Sequence, residues 1–288
     1  MYIYKSKSIE QVLRITALIN VAYYRFPENF VFEGETHDFW EFVYVIDGAI
    51  AVTADSRVYN LKNGDCIFHK PMELHKFNIA SDNNTKLLIF SYKIEGEMAD
   101  YFMDKVFHLT QYQSSIIKEL MNVLKEQSTA EQGHNTITEY LEKFKKNKLF
   151  SQIVATHIHR LFLDLILYGS QTSPTLSEET TLFGRIVNYL DRHIYEYPNI
   201  EKIAKDNFIS QSKLKRLFKK YSGMGVHTYF ITMKMNIATK MLSDGYTVSE
   251  VASVLGFSSQ AYFSKTYKKQ FSISPGKVRL ANGSKNLN

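Results

Sequence analysis

A single cysteine in 288 residues, Cys66, leaves the chain without an internal disulfide and fits a reducing compartment. No uninterrupted apolar run approaches the roughly 20 residues a membrane helix needs. The longest stretches, such as the one around Leu161–Leu167, are broken by Asp164. The amino terminus lacks a basic stretch followed by an apolar core and a small-residue cleavage site, so nothing marks it for export and a cytoplasmic protein is expected. Walker-type glycine loops and paired CxxC motifs are missing, which removes support for nucleotide hydrolysis and for zinc fingers. Acidic residues are scarce toward the carboxyl end. From Thr181 onward there are 6 Asp or Glu against 17 Lys or Arg, whereas residues 1–180 hold 23 against 18, within an overall net charge of +6. Such segregation steers a polyanion to one domain and leaves the other free for different work.

What is abundant is aromatic: 19 Tyr and 20 Phe within 44% apolar residues suit packed cores, and the length suits two domains. From Phe30 to about Tyr92, β-branched and aromatic runs alternate with the breakers Asp47-Gly48, Lys62-Asn63-Gly64-Asp65 and Lys70-Pro71, predicting an antiparallel β-barrel or sandwich. The period then becomes helical over Lys105–Glu126 and Lys148–Tyr168. In the second of these, Ile153, His157, Leu161, Leu165 and Tyr168 recur at helical spacing, and Phe150, Val154 and Ile158 widen the stripe. The stripe supports two uses, covering the barrel or pairing with a second subunit. The polar segment Gly169–Thr180 predicts a linker. The expected domains are therefore 1–170 and 182–288, joined by 171–181, in an α+β chain with a β-barrel first and an all-helical unit second.

In that second domain, punctuation sets the helices. Phe183–His193 comes first. Asn199 caps Ile200–Asp206, Ser210 caps Gln211–Tyr221 with Gly223 closing it, and Thr228–Ser243 follows. Thr247 and Glu250 form a capping box opening Val248–Leu255, Gly256 makes a tight turn, and Ser258 or Ser259 starts a helix running to Lys269. Two segments repeat: Ala204 and Ala252 are 48 residues apart, as are Ser210 and Ser258, and Leu217–Lys220 stands 49 before Thr266–Lys269. A small alanine where two helices cross and an aromatic filling the space between them describe a helix-turn-helix, repeated.

In such a unit the second helix enters the major groove. Leu214, Leu217 and Phe218 form the buried stripe of the first copy; Phe263 and Tyr267, with Tyr262, form that of the second. Base reading then falls to Ser212, Lys215, Arg216, Gln260, Ala261, Ser264 and Lys265, since arginine pairs with guanine, glutamine with adenine, and alanine meets a thymine methyl. Lys219, Lys220, Lys268 and Lys269 suit phosphates. One basic amphipathic helix is ordinarily a solvated face; two capped copies within a segregated positive field point to duplex DNA.

The segment from about Leu182 to Leu280, above all VSEVASVLGFSSQAYFSKTYKKQFSISP from Val248 to Pro275, resembles the DNA-binding domain of the AraC/XylS family of bacterial transcription regulators. The resemblance implies two helix-turn-helix units joined by Thr228–Ser243, promoter DNA as partner, and RNA polymerase as a further partner of an activator, with repression as the alternative output; the homodimer expected is the one the helical stripe at Lys148–Tyr168 supports. Three positions depart from the family pattern: Phe208 stands where the second copy has Gly256, Ser272 replaces a glycine, and Val278 replaces an aromatic.

GETHDFWEF followed by GDCIFHKPMELHKF resembles the cupin-type sensor domain common in this family. Glu35, His37 and Glu41 share strand parity if one strand spans them, as do His75 and Phe77. The leading expectation is a cofactor-free pocket in which Glu35, His37, Glu41 and His75 hydrogen-bond a small organic effector, a sugar being what the resemblance implies, with Phe39, Trp40 or Phe77 supplying apolar contact. A metal held by Glu35, His37, Glu41 and His75 is an alternative, Glu35 standing where a metal cupin has its first histidine. Structural polar residues without a ligand are another. A metal-dependent cupin enzyme is the reading of a different class, disfavoured by the attached basic domain.

Overall fold

A computed structural model describes residues 7–79, 84–126, 146–172 and 177–278. The chain divides into two compact units, residues 1–54 with 58–175 and residues 176–288 with the short turn 55–57.

The first unit holds ten described strands: β1 (Arg14–Phe26), β2 (Val31–Glu35), β3 (Trp40–Asp47), β4 (Ala49–Ala54), β5 (Arg57–Lys62), β6 (Asp65–His69), β7 (His75–Ile79), β8 (Thr85–Glu95), β9 (Val106–His108) and β10 (Ser170–Thr172). They make two sheets, one ordered β1-β8-β3-β6-β9-β10 and one ordered β2-β7-β4-β5. Alternation of side chains along each strand separates two cores. Val43, Val45, Ile67, Leu87 and Ile89 of the larger sheet meet Ile50, Val52, Tyr59, Phe77 and Ile79 of the smaller. Trp40, Phe42, Tyr44, Phe68, Phe90 and Tyr92 face the other way, toward helices α1 (Gln111–Glu126) and α2 (Lys148–Tyr168). Phe162 of α2 is inserted among the rings of Phe42, Phe68, Phe90, Tyr92 and Phe102 at centroid separations of 5.0–6.3 Å.

Three expectations are corrected here. The period at 105–126 is not one helix: Val106–His108 pairs with β6, and the helix begins at Gln111. In α2 the buried stripe is Phe150, Val154, Ile158, Leu161, Phe162 and Leu165. Ile153 and Tyr168 lie on the exposed side with Leu149 and Leu167. The segment read as a linker is structured at both ends, since Ser170–Thr172 pairs with β9 and a helix has begun by Glu178.

In the second unit, α3 (Glu178–Arg192) starts about a turn and a half before Phe183 because Ser177 and Thr180 form a reciprocal capping box. Next come α4 (Ile200–Asp206), α5 (Gln211–Ser222), α6 (Val226–Ser243), α7 (Val248–Val254) and α8 (Gln260–Phe271). Asn199, Ser210, Thr247 and Ser259 each accept from a backbone N–H three residues on. Phe183, Phe218 and Tyr229 fill the core of the first half, with Phe218 at 5.3 Å from Phe183 and 5.1 Å from Tyr229. Met235, Ala238 and Leu242 of α6 pack on Val251, Ala252, Leu255, Phe263 and Tyr267 in the second half.

Candidate functional site

The two helix-turn-helix units match bond for bond. In the first, the amides of Asn207, Phe208 and Ile209 donate to the carbonyls of Ile203, Lys205 and Ala204 at 3.2, 3.1 and 3.0 Å. In the second, Leu255, Gly256 and Phe257 donate to Val251, Ser253 and Ala252 at 3.0, 3.0 and 2.9 Å. The turn needs a left-handed residue at its centre, where glycine is at ease and a bulky side chain is not. Gly256 has φ 69°, and Phe208 nonetheless holds φ 56°. The phenylalanine is tolerated because its ring meets almost nothing, being 92% exposed. Arg185 of α3 braces this turn by donating to the Asn207 carbonyl at 3.3 Å. The second departure from the glycine pattern behaves alike: Ser272 closes α8 at φ 59°, where Gly223 closes α5 at φ 74°.

On α5, Leu214, Leu217, Phe218 and Tyr221 are buried, leaving Ser212, Lys215 and Arg216 exposed on one face. On α8, Phe263 and Tyr267 are buried; Gln260, Ala261 and Lys265 are exposed and Ser264 is half-buried. Tyr262 is not an inward residue: it is exposed at the surface with its ring 5.8 Å from Phe257. The lysines at the helix ends differ. Lys268 and Lys269 are exposed. Lys219 donates to the carbonyl of Gly223 at 2.6 Å and Lys220 pairs with Glu179.

Sequence reading passed over Lys234. It sits in mid-α6, fully buried, and its Nζ donates to the carbonyl of Glu196 at 2.8 Å and to that of Leu255 at 2.7 Å. One carbonyl follows α3, the other ends α7, so a single side chain ties the front of the first reading unit to the turn of the second. The rings of Tyr197, Phe230 and Phe257 surround the ammonium at 4.1, 4.9 and 5.9 Å, an arrangement that favours a cation. Burial nevertheless pulls Lys234 down to about 8. The signal was a lone lysine inside the apolar run YFITMKMNIA.

In the first unit, Glu35, His37, Glu41 and His75 converge, with one ligating atom of each lying within 4.8 Å of all the others. No single strand aligns them. Glu35 ends β2, His37 lies in the loop before β3, Glu41 is in β3, and His75 opens β7 opposite Glu35. A bulge between Phe32 and Glu35, where Gly34 takes φ 101°, shifts the side-chain alternation so that both Phe32 and Glu35 face Phe77 and His75. The cluster therefore spans the mouth between the two sheets. Phe39 stacks on His37 with centroids 3.8 Å apart. Phe77 packs beside the cluster, against Phe26, Phe30 and Phe32. Trp40 is not part of this pocket: it precedes Glu41 on β3 and so faces the helices.

Two further residues complete the cluster. His69 pairs with Glu41 across β3 and β6, stacks on His75 at 4.2 Å, and shares a 2.8 Å hydrogen bond with Glu73. Burial works against the charge on His75, but the carboxylates of Glu35 and Glu41 outweigh it and hold the imidazolium up to about 10. Burial and the neighbouring His75 charge depress His69 and His37. Burial raises Glu73 to about 7 despite Lys70. His69 and Glu73 were legible only as H-K-P-M-E, a spacing that carries no pattern without the turn folding it back.

Residues 19–159 match the family model described as AraC-like ligand binding domain, and residues 203–281 the one described as helix-turn-helix domain. The HTH-type transcriptional activator RhaR of Enterobacter sp. (strain 638) is 24% identical over 263 residues, covering 87% of this chain and 88% of its own. The probable transcriptional regulator LumQ of Photobacterium leiognathi is 27% identical over 96 residues, and the match spans only 39% of its length and 33% of this chain. Among solved structures, ToxT from Vibrio cholerae O395 aligns over 94% of this chain and 98% of its own at 13% identity, with a TM-score of 0.38.

Proposed function

The chain belongs to the AraC family of transcription regulators, DNA-binding proteins and not enzymes, and on that premise we propose that it reads promoter DNA through α5 and α8 under control of a small polar effector seated at Glu35, His37, Glu41 and His75. The observation that carries the first half is the paired turn geometry. Two helices with the same cap, turn and basic outer face form a rigid double reader suited to successive major-groove segments. Ser212, Lys215, Arg216, Gln260, Ala261, Ser264 and Lys265 are the proposed base-facing residues. Lys268 and Lys269 are the proposed phosphate anchors of the second unit; Lys219 and Lys220 can serve in the first by exchanging Gly223 and Glu179 for phosphate oxygens.

The effector half rests on the polar mouth between the sheets, with Phe39 and Phe77 as apolar contacts. A ligand rich in hydroxyls, such as a sugar, meets the two carboxylates and two imidazoles there. Its binding shifts the regulator between arrangements only by as much as it prefers one of them. A homodimer is proposed through the outer face of α2, where Leu149, Ile153, Leu167 and Tyr168 are exposed. Activation through RNA polymerase is the favoured output, in a cytoplasmic setting; none of the described helices is long and apolar enough to cross a membrane.

Genome-wide capture of bound DNA with and without candidate small molecules tests the whole reading. A recurring site whose occupancy changes with one compound is the expected result; occupancy without a recurring site sinks it. Within a captured site, Arg216→Ala should cost about 1–3 kcal/mol and relax preference at one base pair. Equal loss on cognate and scrambled DNA removes Arg216 from base reading.

A further inference from the structure

We propose that the cluster at the mouth of the sensor domain is a divalent transition-metal site, with His37 Nε2, His75 Nε2 and carboxylate oxygens of Glu35 and Glu41 as ligands. This rests on the reading of that mouth as the effector site and names a metal ion as an occupant.

The first observation is the way each ring is held. His37 Nδ1 donates to the carbonyl of Phe39 at 2.9 Å and His75 Nδ1 to that of Glu73 at 3.2 Å. A carbonyl can only accept, so each Nδ1 carries its hydrogen and each Nε2 is turned to the cluster. Metal-bound histidines are oriented in this way by an outer partner on the other nitrogen. The second observation is that both Nε2 atoms are buried and have no hydrogen-bond partner, although the histidine side chains are only 11% and 2% exposed. A buried polar atom left so is uncommon and calls for a ligand.

Distances are the third observation. His75 Nε2 lies 3.5 Å from Glu41 Oε1 and 3.6 Å from Glu35 Oε1; His37 Nε2 lies 4.0 Å from the same Glu35 oxygen and 3.9 Å from the other oxygen of Glu41, Oε2. All are beyond a hydrogen bond. An ion about 2.0–2.2 Å from each of four atoms spaces them at tetrahedral edges of about 3.3–3.6 Å. The two His75 separations fall in that range, and those of His37 exceed it by a few tenths of an ångström. Mixed imidazole and carboxylate donors suit zinc, manganese, iron or nickel and disfavour softer ions that want thiolate. Glu73 then acts as a positioning residue: its carbonyl sets the His75 ring while its carboxyl holds His69, which stacks on that ring. When the ion arrives, any proton on His75 Nε2 departs to solvent and the nitrogen lone pair takes its place on the metal.

The test is calorimetric titration of the chelator-stripped full chain with ZnCl2 and, separately, MnCl2, backed by elemental analysis after dialysis. One equivalent per chain is expected. Glu35→Gln and His37→Gln should each weaken uptake by at least about 10–100-fold, the loss that follows removal of even an outer-shell partner. Glu35 is half exposed, so its variant retains the fold, which circular dichroism checks. No uptake of either ion, or uptake that both variants leave intact, overturns the metal site. The effector reading is judged separately, by whether small organic molecules change DNA binding of the stripped protein. A stripped protein that takes up no metal yet responds to such a molecule overturns the metal inference alone.

Discussion

Replacing Phe208 by glycine should tighten the turn that a phenylalanine now occupies, and replacing Gly256 by alanine should loosen its twin. Both residues hold left-handed backbone, at φ 56° and 69°. That conformation costs a residue with a Cβ about 1–2 kcal/mol. At Phe208 the side chain returns little of this, because it is 92% exposed. Glycine removes the strain but adds freedom to the unfolded chain, worth about 0.5–1 kcal/mol in the opposite direction. The net expectation is a gain of up to about 1.5 kcal/mol. At Gly256 the same strain is introduced, and the new Cβ also meets the carbonyl oxygen of Tyr195 at 3.0 Å. A loss of about 1–2 kcal/mol follows, or a 5- to 30-fold shift in the opening equilibrium. Hydrogen exchange at the Ile209 and Phe257 amides, which close the two turns on Ala204 and Ala252, reads each change locally. Exchange at Ile209 should slow in Phe208→Gly, and exchange at Phe257 should quicken in Gly256→Ala. If Phe208→Gly accelerates Ile209 as much as Gly256→Ala accelerates Phe257, the ring makes a stabilising contact and the strain account fails.

Lys234 supplies a pH signature. Its value near 8 lies below the roughly 10.4 of an unfolded chain, so between those two values the unfolded state holds more protons and stability rises with pH; the gain is lost as pH falls through about 8. The melting temperature of the wild type relative to Lys234→Met should therefore climb from pH 8 to pH 10, and a flat difference refutes it. On α2, the double change Leu149→Glu and Ile153→Glu should convert a dimer to monomer in sedimentation velocity while leaving the melt nearly unchanged, both side chains being exposed. A dimer that survives places the interface elsewhere.

Helix boundaries in the second unit were readable because each depends on a few local residues. Ser210, Thr247 with Glu250, and Asn199 cap where their side-chain chemistry requires. The turns were readable by the repeat, and Phe208 keeps the geometry of Gly256 since its backbone is fixed by the same three amide bonds. The sensor mouth was only partly legible. Glu35, His37, Glu41 and His75 do meet, yet through a bulge and a loop that no strand alternation anticipates. Val106–His108 was hidden for a related reason: a three-residue strand next to a 16-residue helix adds too little period of its own. His69, Glu73 and Lys234 were passed over because their roles depend on partners far along the chain or folded back by a turn. Lys234 lies 38 residues from one of its carbonyls and 21 from the other.

The larger sheet of the sensor domain has the chain's sole tryptophan on one side and the polar cluster on the other, with Trp40 and Glu41 adjacent on β3. Its indole lies among apolar and aromatic side chains on the dry face, out of reach of anything seated between the sheets. Intrinsic fluorescence thus becomes a built-in optical gauge of strand movement: a molecule entering the mouth cannot quench Trp40 by touching it, so a changed emission on ligand addition registers displacement of β3 and its transmission to the helices behind.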